Sequence, residues 1–146
     1  MKKFLSVAIL LLCVATISAQ KVKFKKGSVL IDDVEVYKYE REGTMETIST
    51  LGSTEFMTIL STSYEERNPA HYRPHGENFP ALITRWVYTV KFLASGRELV
   101  TDLNPKDIAK AVYKSGMIAE DGNIDEEKLN VFVNKYNNDN LKYKLN

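Results

Sequence analysis

The chain has 146 residues, with 20 lysines and arginines against 19 aspartates and glutamates, a formal charge of +1, and one cysteine. That near balance gives no general attraction to nucleic acid or to an anionic membrane surface. The length suits one domain around one core.

Residues 1–19, MKKFLSVAILLLCVATISA, read as an export signal. Lys2 and Lys3 form a basic start, Phe4 to Val14 an uncharged apolar run, and Ser18-Ala19 a small-residue cleavage site. The run is shorter than the ~20 residues needed to span a bilayer. Cys13 follows Leu12, not the small residue that a lipoprotein signal requires. The expected mature protein spans 20–146 as a single domain, exported to the periplasm or the medium, with no membrane insertion after cleavage. Its 127 residues have lost Lys2, Lys3 and Cys13, so the charge becomes −1 and no thiol remains. Disulfides, thiolate metal ligands and cysteine nucleophiles are thereby excluded from it.

From Lys21 to Tyr64 the hydropathy period is two, the signature of half-buried strands. Val22 to Lys25 alternates lysine with apolar residues, and Lys26-Gly27-Ser28 supplies a turn. Val29 to Ile31 resumes the strand, Asp32-Asp33 offers a tight reversal, and Val34 to Glu40 leads on. Tyr37 and Tyr39 share one face of that strand. Glu42-Gly43 turns into Met45 to Leu51, and Gly52-Ser53 into Glu55 to Tyr64, where Phe56, Leu60 and Tyr64 share a face. Glu65 to Pro80 holds three prolines, one glycine and two asparagines, which rules out a regular helix or a central strand. Ala81 to Phe92 is the clearest strand, with Leu82, Trp86, Tyr88, Val90 and Phe92 on its even face. Ser95-Gly96 turns the chain into Glu98 to Thr101.

The last third changes period to 3.6. Asn104 is an N-cap, Pro105 fits the first helical position, Asp107 completes a capping arrangement and Gly116 closes the helix. Ile108, Ala111, Val112 and Ser115 form its expected inward stripe. Asp125 caps a second helix whose stripe is Leu129, Phe132, Val133 and Tyr136. Asn137-Asn138 ends it, and Leu141 to Leu145 reads as a last edge strand or a frayed tail. Strands first and helices after predict an α+β domain: an antiparallel meander of about six to seven strands with two C-terminal helices packed on it.

Four features bear on chemistry. His71, Tyr72, Arg73, His75 and Glu77 sit in the long loop, and two histidines with a nearby carboxylate have the donor types of a zinc site. Pro74 and Gly76 prevent a helix from converging them, so the loop is read as a binding candidate, with no metal and no cofactor assigned. Met117 to Lys128 holds the glycine of an EF-hand loop but not its ligands at the first, third and twelfth places, so it is read as a turn. An exposed Trp86 would give a platform for a sugar ring or a peptide, but its aliphatic neighbours on the even face place it in the core. Tyr37, Tyr64 and Tyr72 are expected to be exposed. Lys21, Lys23, Lys25 and Lys26 read as the protection of a sheet edge. No Gly-x-Ser-x-Gly elbow, P-loop or dinucleotide fingerprint occurs.

The signal ending Ser18-Ala19-Gln20, the following KVKFKKGSVLIDD and the later DGNIDEEK resemble small exported proteins of the Bacteroidota. The resemblance implies export from a Gram-negative cell and brings no catalytic residues with it. The expected function is an exported, non-enzymatic domain that binds a protein or cell-envelope partner. Strand addition is its expected docking mode, with the long loop supplying specificity. The competing expectation is a small metal-dependent hydrolase built on His71, His75 and Glu77.

Overall fold

The computed structural model describes residues 19–145, so the segment read as a signal lies outside the described residues except for Ala19. Seven strands form one sheet in sequential order, each antiparallel to its neighbour. They are β1 (Val22–Lys25), β2 (Ser28–Ile31), β3 (Val34–Glu42), β4 (Met45–Ser49), β5 (Glu55–Arg67), β6 (Leu82–Phe92) and β7 (Glu98–Thr101). Helices α1 (Pro105–Ser115) and α2 (Glu126–Tyr136) follow, as expected of an α+β domain. Leu141 to Leu145 is not a strand: Asn138 caps a four-residue helix, α3 (Asp139–Lys142), through its own side chain. No helix among the described residues is long and apolar enough to cross a membrane.

Local chemistry sets the first hairpins. Lys26 and Gly27, then Asp32 and Asp33, adopt positive φ, between +51° and +79°. Paired left-handed residues make two-residue turns whose twist matches that of the flanking strands. Lys25 pairs with Ser28 and Ile31 with Val34, so each reversal spends only two residues. β1 lies at one sheet edge, where its lysines were expected to stand.

The core lies between one sheet face and the two long helices. Val29, Tyr37, Ile48, Ile59, Val90 and Phe92 of the sheet meet Ile108, Val112, Leu129 and Phe132 of the helices. Fully burying Phe56 or Phe92 stabilises the fold by about 2–3 kcal/mol each. Phe92 and Phe132 meet edge to face, with centroids 5.9 Å apart. A register shift opposite Ile48 and Ser49 leaves Phe56 as an extra residue on β5, and both Phe56 and Met57 are buried. Beyond the bulge the inward positions are Met57 and Ile59, and Leu60 is 43% exposed on the other face. Tyr37 is also buried, against Phe56 at 5.0 Å, contrary to its expected exposure.

Both predicted N-caps form. Asn104 Oδ1 accepts from the backbone N–H groups of Lys106 and Asp107, and Asp125 Oδ1 from those of Glu127 and Lys128. Gly116 closes α1 in the left-handed conformation at φ +62°, where a side chain would be strained.

Two length mismatches position the functional face. β7 reaches only to Tyr88 along β6, and β4 only to Leu60 along β5. From Thr62 to Arg67 and from Leu82 to Val87, β5 and β6 pair with each other alone. This two-stranded arm ends in the loop 68–81, so β5 runs three residues further than its sequence signal suggests. On the arm face shared by Tyr64 and Val87, the C-terminal segment passes close by, with Lys144 Nζ 5.8 Å from the Tyr64 ring centre.

Candidate functional site

The tip loop does not gather its histidines. His71 Nδ1 lies 2.7 Å from the Phe79 carbonyl oxygen, and its ring packs edge-on to Tyr72. His75 occupies a left-handed position at φ +61°, starting a single 3₁₀ turn (Gly76–Asn78) without capping it. Tyr72, Arg73, His75 and Glu77 are exposed. Among the described residues, no group of three or more His, Cys, Asp or Glu side chains is placed to hold a metal ion. Asn68 ties the loop's ends together: its side chain donates to the Pro80 carbonyl and accepts from Ala70 N–H. Gly76 sits against the backbone carbonyls of Ala70 and His71 with no room for a Cβ.

The residues that do converge lie on the helix-side face of the sheet, just past the start of α1. Following alternation away from the core, β3 presents Tyr37, Tyr39 and Arg41, and β4 presents Ile48 and then Glu46. β5 presents Ile59 and then Ser61, and β6 presents Val90, Tyr88 and Trp86. Cross-strand pairing puts Glu46 beside both Arg41 and Ile59, and Ser61 beside Tyr88. The helices cover the apolar part of this face and leave the aromatic and polar part open. The result is a cleft of about 640 Å³, walled by Phe24, Tyr39, Trp86 and Tyr88, with Asn104, Pro105 and Lys106 at its rim. Phe24 and Tyr39 stack at a tilt, with centroids 4.8 Å apart.

Glu46 is the unusual member. It is 7% exposed, and its Oε2 is out of reach of solvent with no hydrogen-bond partner. Arg41, its neighbour across the strands, turns Nε to the Gly43 carbonyl at 3.2 Å and makes no ion pair with it. Burial holds the Glu46 carboxyl above the usual carboxylate range, an effect the Arg41 charge partly offsets. Burial also raises the Tyr88 phenol, and the Glu46 charge raises it further. A buried acceptor without a donor costs a fold about 1–3 kcal/mol. Such a group in a cleft is a signal of function.

No family model, curated protein or solved structure matches this chain. The functional reading therefore rests on the cleft itself. Trp86, assigned to the core on its even-face neighbours, is 51% exposed in the cleft wall. The reason is the short β7, which pairs no further than Tyr88 and leaves Trp86 with a neighbouring strand on its β5 side alone. Glu46 carries a legible signal in the sequence. It stands two residues from Ile48 on a strand, which alone places a carboxylate on the inward face. A second groove of about 470 Å³ runs between α1 and α2, but lysines 114, 128 and 135 line it and no orphaned polar atom faces it.

Proposed function

We propose that this chain is an exported, non-enzymatic binding domain that holds its ligand in the cleft between β1–β6 and the start of α1. One observation carries the reading: a nearly buried carboxylate, Glu46, with no partner for Oε2, lines the same open cleft as a half-exposed tryptophan. Binding sites have this composition, aromatic walls with a few fixed polar groups. Catalysis by paired carboxylates would need a second acid, and Glu46 is the one carboxylate among the lining residues. The lining residues also include no histidine to serve as a base.

Strand addition has little support at either outer edge. On β7, Val100 N–H donates to Asn137 Oδ1 at 2.9 Å, and Asn138 N–H donates to the Val100 carbonyl at 2.7 Å. These bonds occupy the Val100 groups that an added strand would use. β1 is four residues long and carries Lys23 and Lys25. The hydrolase reading draws no support from the tip loop, where His71 Nδ1 is engaged by Phe79 and His75 stands apart in solvent.

The test is amide chemical-shift mapping against a library of small polar molecules, including amino acids, nucleosides, sugars, quaternary amines and short peptides. The expected result is at least one saturable ligand whose shifts cluster at Tyr39, Glu46, Ser61, Tyr88 and Asn104. Shifts that cluster on the tip loop, or a library that moves nothing, would overturn the cleft reading. Export is tested separately by the mass of the protein recovered outside the cytosol, which is expected to begin at Gln20.

A further inference from the structure

Building on the cleft as the binding site, we propose that its ligand is a carbohydrate. A glycan lies along the cleft, with one pyranose unit against Trp86 and hydroxyls of the chain on the cleft-facing edge of Glu46 and on the Arg41 and Lys106 side. The polar groups of the cleft narrow the chemistry, and the exposed indole face narrows it further. A wholly apolar ligand would desolvate Arg41 and Lys106 and leave Glu46 without a donor, at a cost for each. A simple cation suits the aromatic rings and Glu46 but meets the positive charges of Arg41 and Lys106 in the same cleft. A simple anion suits those two and is repelled by Glu46.

A neutral polyhydroxyl ligand answers every group at once. Each hydroxyl can donate to a carboxylate and accept from a guanidinium or an ammonium group. A pyranose ring also carries a flat face of C–H groups, which matches an indole exposed on one side. Trp86 is that indole, 51% exposed, with Tyr88 next on the same strand face. The cleft is open along the sheet and larger than one ring, which suits a unit within a chain. Its donors and acceptor also come from separate elements, with Arg41 on β3, Glu46 on β4 and Lys106 on α1. A ligand with hydroxyls around its rim can reach them together.

Ligand-observed saturation-transfer NMR on the protein recovered from an exporting host tests the inference. The probes are trisaccharides of the gluco, galacto, manno and N-acetylglucosamine series, tetramethylammonium chloride, and N-acetyl-trialanine amide. At least one trisaccharide is expected to bind saturably, with transfer concentrated on the C–H protons of one ring face. Trp86→Ala and Glu46→Leu should each weaken that binding roughly tenfold or more, as loss of a stacked ring or a charge-assisted hydrogen bond implies. Binding of the ammonium or peptide probe in the cleft, with every trisaccharide silent, overturns the carbohydrate inference and leaves the cleft as the binding site. Silence of all probes overturns both. A trisaccharide unaffected by either substitution also overturns the inference. If Glu46→Leu fails to fold by circular dichroism, the half-exposed Trp86→Ala variant decides alone.

Discussion

Replacing Glu46 by leucine is expected to stabilise the protein while removing the polar group that its cleft is built around. Glu46 is 7% exposed, flanked by Arg41 and Ile59 across the sheet, with Oε2 lacking any partner. Relief of one unpaired buried acceptor is worth about 1–3 kcal/mol, and a leucine side chain fits beside Ile59 without a polar atom to satisfy. For a domain of this size that corresponds to a rise in Tm on the order of 4–12 °C. The effect should depend on pH in a fixed direction. Burial raises the folded carboxyl above its ordinary 4.5, so the folded state holds the proton more tightly than the unfolded chain. The penalty of the charged form is therefore fully present above the folded pKa and fades as the pH falls through it towards 4.5. Thermal and urea denaturation of wild type and Glu46→Leu at pH 7 and pH 4 measure both effects. The variant should lead at pH 7 and its margin should shrink at pH 4. A variant no more stable than wild type at pH 7, or a margin that ignores pH, would refute the assignment of Glu46 as a buried acid lacking a hydrogen-bond partner.

Three further outcomes follow from other parts of the fold. Asn137→Ala should cost about 1–2 kcal/mol by leaving the buried Val100 N–H unpaired. It should also open the β7 edge to pairing, seen as faster exchange of that amide and concentration-dependent self-association; an unchanged exchange rate would count against it. Gly76→Ala drives a Cβ into the Ala70 and His71 carbonyls at the tip of the arm. It should expose the loop 68–81 to proteolysis while shifting global stability by less than about 1 kcal/mol, because the tip lies beyond the other strands. A matching fall in the unfolding midpoint would contradict this. The Tyr37 phenol, raised to about 12 by burial and then by Tyr113, should ionise last in an alkaline absorbance titration. Its folded pKa exceeds its ordinary 10.0, so its contribution is complete below 10.0 and is lost as the pH rises through about 12. Full ionisation of every tyrosine near 10 with the fold intact would show that Tyr37 is not sealed.

Most of the architecture was legible because it is local. A period of two, turn residues two at a time, and caps such as Asn104 and Asp125 each act within a few residues. The sequential pairing of β1 to β4 then follows from two-residue turns that are too short to skip a neighbour, whereas the long loop 68–81 leaves the β5–β6 pairing to the strands themselves. The readings that failed depend on distance. Trp86 and Val90 share a strand face, but whether that face is core depends on a helix beginning at Pro105 and on a β7 that pairs no further than Tyr88. Tyr37 is sealed by Phe56, which a bulge on another strand turns inward. The last residues became a helix because Asn138 both caps it and bonds to β7.

The amino-acid order by itself determined the elements, their turns and their α+β succession, since each is decided by side chains within one or two turns of chain. Only the tertiary structure decided the cleft. Phe24, Tyr39, Glu46, Trp86 and Lys106 come from five different elements, and their meeting is fixed by cross-strand register and by where the helices stop covering the sheet. Neither quantity is carried by any short stretch of sequence.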